Sequence, residues 1–331
     1  MSKIDKVIYG IEDEELLNKI IQTLSYTEAS WNNINPTSFD EVDMDAYKLD
    51  GRCYKNFYLC YSNAIPKLFD STLYKQPSYK TYFSNISQDG LIPEKISVLL
   101  KAAHRKSTLV QEVIASQILN FFNCKTPFNF AVKAQNDNDN YLASIDFISY
   151  NEKLVLFNEL NIIWTEDVNA MVKQLDCLTK DKTSVLYNTK TENLTKLKDD
   201  LILSFLVRYC LLKDADFDLY NCGLLVNKLN NSVSFINFDF ELCLKPTYFS
   251  EAKNILIKFI MGYACENNSS LYYNFIDKCY ILNQVLTEVN FENSDKYYNQ
   301  TISVLKDNLQ QVIDIHNSLN IEFVNNPLSL N

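Results

Sequence analysis

The sequence predicts an α+β fold of two lobes, β-rich with one main helix in its first half and helical in its second. Three observations lead there. Two hairpin patterns flank a single strong helix before residue 150. An almost wholly apolar helix at 199–213 (DDLILSFLVRYCLLK) runs into a polar loop and a short hairpin. From Phe249 to about Ile321 the apolar spacing is helical throughout. Strands followed by helices, rather than strict alternation, are the pattern of an α+β domain.

The elements follow in order. Ile11, Leu16, Leu17, Ile20, Ile21 and Leu24 mark a helix over 11–25, after an acidic first turn. Residues 26–70 are mixed and aromatic and receive no assignment. Residues 79–103 are expected to form a hairpin around the polar turn Ser87–Gly90. Val110, Val113, Ile114, Ile118, Leu119 and Phe122 recur at helical spacing, and Pro127 closes that segment. A second hairpin joins Phe128–Ala134 to Tyr141–Ile148 across an Asn/Asp turn. Residues 166–200 are polar, helical or irregular. The helix at 199–213 is apolar enough to be a core element. A third hairpin pairs Gly223–Val226 with Ser232–Phe240. The domain reading is an extension over 1–78, partly helical and packed on the core, a first lobe over 79–150, and a second lobe with a helical tail over 151–331.

Composition narrows the function classes. A chain of 331 residues with 47% hydrophobic residues suits a two-lobed domain with a sizeable core. A net charge of −10 argues against nucleic-acid binding through a basic surface. The nine cysteines are odd in number and contain no C-x-x-C pair. They are expected to be buried free thiols of a reducing compartment, with no zinc site. Neither of the two histidines, His104 and His316, stands in a nucleophile context. No apolar signal region opens the chain and no run is long enough to span a membrane. The expectation is a cytosolic protein, compatible with export into a host cell without a cleavable signal. Only five glycines occur, so motifs that lean on glycine are degraded here.

The chemistry concentrates in Asp214–Glu241. Transfer of a phosphoryl group to a hydroxyl needs a carboxylate to orient the hydroxyl, oxygen ligands for metal ions, and a lysine for the phosphates. Asp216 and Asn221 have the spacing D-x-x-x-x-N, and the hairpin returns through Phe238-Asp239-Phe240-Glu241. Hard oxygen ligands of this kind suit Mg²⁺ or Mn²⁺. A solvated acidic loop between a core helix and a hairpin is the plainer reading. Upstream, Lys101 ends a strand-like run and Glu112 lies in the next helix, a pairing that would hold the α and β phosphates. Lys133, in Phe130-Ala131-Val132-Lys133, is the rival lysine, but a turn and another strand follow it. Gly90 is either the remnant of a phosphate-covering loop or a hairpin turn. Asp146, in Ser144-Ile145-Asp146-Phe147, ends the second hairpin either as an adenine-binding hinge or as an ordinary strand end. His104, Arg105 and Lys106 form a basic cluster, a solvated helix start or a pocket for a small polyanionic activator.

Several segments together resemble the atypical kinases: the HipA-like toxin kinases, the actin-fragmin kinase group and the phosphatidylinositol 3/4-kinase-like fold. They are Val98-Leu99-Leu100-Lys101, the helix Gln111–Leu119 with Asn123-Cys124-Lys125-Thr126-Pro127, Asp216–Gly223, and Phe238–Glu241. The helix resembles the family's E-x-x-A-S-x-I-L…G-I-x-T-P, with Asn123 in the place of glycine. The resemblance spans roughly 80–265 and implies a bilobal protein-kinase-like fold. It implies Asp216 as the catalytic aspartate, Asn221 and Asp239 as metal ligands, and Lys101 with Glu112 on the phosphates of ATP. It departs in three places: no His-Arg precedes Asp216, Glu241 replaces the usual glycine, and no A-P-E motif follows. The expected activity is an atypical protein Ser/Thr kinase, associated with bacterial effectors that act on a host protein. The alternatives are a phosphoinositide or small-molecule kinase and another transfer from ATP such as adenylylation.

Overall fold

The computed structural model describes residues 14–38, 55–61, 95–103, 105–134, 140–145, 148, 152–245, 251–291 and 295–325. Helix α1 (Glu14–Leu24) buries Ile20 and Leu24. It is followed by β1 (Glu28–Ser30), the single turn α2 (Trp31–Ile34), β2 (Thr37–Ser38) and β3 (Lys55–Tyr61). Then come β4 (Lys95–Ala103), α3 (Lys106–Phe121), β5 (Asn129–Lys133) and β6 (Asn140–Ile145). The second half contains β7 (Glu152–Leu156), α4 (Val168–Leu178), α5 (Thr191–Phe205), β8 (Cys222–Asn227) and β9 (Val233–Asn237). It ends in α6 (Glu251–Asn267), α7 (Ser269–Glu288) and α8 (Lys296–Asn325). The order is the expected α+β one: a β-rich part with one main helix, then a helical part.

The described strands form two sheets. The first runs β1-β5-β6-β4-β3-β2, antiparallel except for the parallel pair β1 and β5. Residues 28–61 thus supply strands to the same sheet as β4. The expected arm at 79–86 and its turn lie outside the described residues; β4 pairs with β3 and β6. Alternation along the strands decides which face each side chain takes. Ile96, Val98, Leu100, Phe130, Val132, Ala143 and Ile145 pack on one face with Trp31 against them. Ala131 and Leu142 turn to the other face and join the core that contains α3.

The main helix is not amphipathic. Every residue from Leu109 to Leu119 is buried, including Gln111, Glu112, Ser116 and Gln117. An ordinary surface helix buries one stripe. Here the sheet covers one side of α3, while α1 and α8 cover the other. The helix ends at Asn123, whose φ is 66°, and the Cys124 N–H returns to the Leu119 carbonyl at 2.9 Å. That is a left-handed helix stop in which asparagine does the work of glycine.

The second sheet is the antiparallel set β7-β8-β9. The hairpin of β8 and β9 was legible in the sequence; β7 was not. Gly223 lies so close to β7 that a Cβ there would stand 2.8 Å from the Val155 carbonyl oxygen. Helix α5 does not stay α-helical. It widens into a π-helical stretch, Leu206–Leu211, before the loop at 212–221. Helix α8 closes the molecule: Tyr298 donates to the Leu24 carbonyl at 2.6 Å and Asn308 to the Leu211 carbonyl at 2.9 Å. Among the described residues, no helix is long and apolar enough to cross a membrane. All eight described cysteines are free, and most are buried.

Candidate active site

Lys101 lies on the face of β4 opposite Ile96, Val98 and Leu100, and so points between the two sheets. Its Nζ is 3.3 Å from Glu112 Oε1, 3.1 Å from Asp239 Oδ1 and 2.7 Å from Glu241 Oε1. The three partners come from α3 and from the segment after β9. The rival Lys133 is exposed at the end of β5. Strand, helix and hairpin therefore deliver Lys101, Glu112 and Asp239 to one point.

Three carboxylates around one ammonium leave an excess of negative charge. Burial opposes the Lys101 charge, but Glu112, Asp239 and Glu241 outweigh it and hold its pKa above the ordinary value. Burial also raises the Glu112 carboxyl, against the pull of Lys101, and Asp239 and Glu241 add to the rise. One oxygen from each of Glu112, Asp239 and Glu241 lies within 4.8 Å of the others. Such a set of hard oxygens fits a divalent cation of the Mg²⁺ or Mn²⁺ type.

The loop before β8 brings the other residues. Asn221 is buried and its Nδ2 donates to the Asp216 carbonyl. That leaves the Asn221 Oδ1 as the acceptor end, the end a metal ion uses. Asp216 is exposed at the mouth of the loop. Partial burial raises its pKa, the Asn221 hydrogen bond lowers it, and Asp218, Asp214 and Asp239 raise it again. Gly90, Asp146 and His104 lie outside the described residues. Lys106 of the basic cluster is bound to Glu28 at 3.1 Å and Asp295 at 2.7 Å, joining β1 to the start of α8.

No family model matches the sequence, and neither does any curated protein. The fold is similar to the crystal structure of a Helicobacter pylori proinflammatory kinase, CtkA. The likeness covers 69% of this chain and 92% of that one, with 15% identity and a TM-score of 0.48. At that level the chemistry has to be argued from this chain's own residues.

Arg208, and the role of Asp214, were not read along the chain. Where a His-Arg pair was missing, Asp214 stands, fully buried, and its Oδ1 accepts the Asp216 N–H at 3.0 Å. Its Oδ2 is bound by Arg208, also fully buried, whose Nε lies 2.6 Å away. The signal was present: a lone arginine inside an apolar helix must find a buried carboxylate. The second sheet carries an apolar cluster. Leu154, Leu225 and Ile236 pack with Ile148, and Leu99 and Phe238 lie against them.

Proposed function

We propose that this chain is an ATP- and divalent-metal-dependent phosphotransferase, most simply an atypical protein Ser/Thr kinase. The observation that carries the reading is the convergence of Lys101, Glu112 and Asp239, with Lys101 Nζ within 3.3 Å of both carboxylates. Lysine on a strand, glutamate on the following helix and aspartate after a hairpin are the parts that hold nucleotide phosphates and metal in kinases.

In this reading Lys101 binds the α and β phosphates and Glu112 keeps its ammonium aimed. Asn221 and Asp239 hold Mg²⁺ or Mn²⁺, which when bound neutralises charge building on the phosphoryl oxygens. Asp216 orients the acceptor hydroxyl and takes its proton as the oxygen attacks the γ-phosphorus and the bond from that phosphorus to the bridging oxygen breaks, releasing ADP. Exposure of Asp216 at the loop mouth suits an acceptor as large as a protein. The short path from Asp239 to α6 leaves no room for a long, phosphorylation-controlled activation segment. A host protein is the proposed substrate, by association with bacterial effectors.

The test is incubation with γ-labelled ATP and Mg²⁺ or Mn²⁺, with Asp239→Ala and Asp216→Ala as controls. Label on protein, lost in both variants, supports a protein kinase. Label only on added phosphoinositide moves the substrate to lipid, and label from α-labelled ATP alone indicates nucleotide transfer. Absence of both transfer and metal-dependent ATP binding would end the phosphotransferase reading.

A further inference from the structure

The π-helical stretch Leu206–Leu211 carries Arg208 into the centre of the site without reaching the solvent. Its guanidinium uses three edges. Nε and Nη2 engage the Asp214 carboxylate. Nη1 donates to the Asn221 carbonyl at 2.7 Å and approaches the Phe238 carbonyl at 3.4 Å. Nη2 also donates to the Asp239 carbonyl at 2.9 Å. The plane is held between rings, with Cζ 4.2 Å from the centre of Phe217 and 5.0 Å from that of Phe240.

One side chain therefore grips the backbone of both metal-holding residues. Through Asp214 it also reaches Asp216, whose N–H is bound by the other carboxylate oxygen. Asp239 needs such a grip. Its φ is 57°, a left-handed conformation disfavoured for residues with a Cβ. Strained backbone of this kind persists where its surroundings over-determine it.

We infer that Arg208, paired with Asp214, is a positioning residue that sets the separation and orientation of the metal-holding groups Asn221 and Asp239. It touches neither nucleotide nor metal, and the inference rests on the phosphotransferase reading. Arginine is required for its shape as well as its charge. A planar fork of donors can serve a carboxylate and several carbonyls at once, whereas a lysine ammonium offers a point charge.

The experiment compares the full chain with Arg208→Lys and with the double variant Arg208→Met, Asp214→Asn. The double variant removes both buried charges together, so neither is left alone. Three quantities are read: the melting temperature, Mn²⁺ affinity by electron paramagnetic resonance with a non-hydrolysable ATP analogue, and kcat with the metal concentration for half-maximal transfer. Arg208→Lys is expected to fold and to bind Mn²⁺ about ten- to a hundredfold more weakly, the usual loss when a group behind a metal ligand is removed. Nucleotide binding without metal stays unchanged. The double variant is expected to melt above Arg208→Lys yet remain weak for Mn²⁺. Wild-type Mn²⁺ affinity in a folded Arg208→Lys would overturn the inference alone, as would Mn²⁺ affinity that recovers together with the melting temperature. If the unmodified chain binds no Mn²⁺–nucleotide, the phosphotransferase reading falls and takes this inference with it.

Discussion

The Lys101 ammonium lies closer to Glu241, at 2.7 Å, than to Glu112, at 3.3 Å. Glu241 occupies the position where the related pattern has a glycine, and its side chain is 41% exposed. On the proposed phosphotransferase reading, Glu241 would compete with nucleotide phosphates for the same lysine.

Glu241→Gln should therefore lower the KM for ATP. The pair is too exposed to be strong, so the gain is expected to be at most about fivefold, as for other solvent-screened pairs. Steady-state kinetics at saturating metal measures it. A raised KM with a higher metal requirement would instead make Glu241 a metal ligand.

Asp200 of α5 gives a pH dependence. Burial pushes its carboxyl up to about 6, with Lys196 pulling the other way. Its folded pKa thus exceeds its unfolded one, so its stabilising contribution is complete at low pH and is lost as pH rises through 6. Asp200→Asn should stabilise the fold above about pH 7, on the order of 1–3 kcal/mol, and change little near about pH 4. Paired thermal melts across that range check the sign.

Asn123 tests the helix stop of α3. With φ at 66°, Asn123→Ala should cost on the order of 1 kcal/mol, and Asn123→Gly should be neutral or slightly stabilising. Denaturant unfolding separates the two. Equal losses would mean that the asparagine side chain, and not the backbone, ends the helix.

Gly223→Ala should open the second sheet under the loop. The added carbon would stand 2.8 Å from the Val155 carbonyl oxygen, backbone that can yield only by moving β7. A loss of about 1–3 kcal/mol is expected, as for other overpacked sites. Hydrogen exchange should quicken first along β7 and β8.

The sequence was legible wherever the signal was local. The spacing of Asp216 and Asn221, the hairpin leading to Asp239 and the apolar run of α3 could all be read along the chain. Strands β1 and β3 could not. β1 has three residues, and its partner Ala131 lies far along the chain from Glu28, so its pairing is set by tertiary contact. β7 was missed for the same reason, being defined by its register with β8. The Lys101–Glu112 pair was legible because a strand lysine followed by a helix glutamate has a mechanical reason to exist. Arg208 stands out as a lone charge in an apolar helix, but its partner Asp214 does not, because the π-helical widening that aims the arginine leaves no local pattern in side-chain spacing. Glu241 could be placed in the motif, but its contact with Lys101 depends on the left-handed turn at Asp239.

Helix α3 has one further consequence, which concerns time. One of its walls is α8, the last helix described, so the core around Leu109–Leu119 joins parts of the chain made early and late. Domains assemble as the ribosome releases them. A nascent chain that has emerged only as far as α7 still presents to water and to chaperones the part of α3 that α8 covers. The order of synthesis thus leaves the wall that α8 adds to α3 unbuilt until Lys296–Asn325 has emerged.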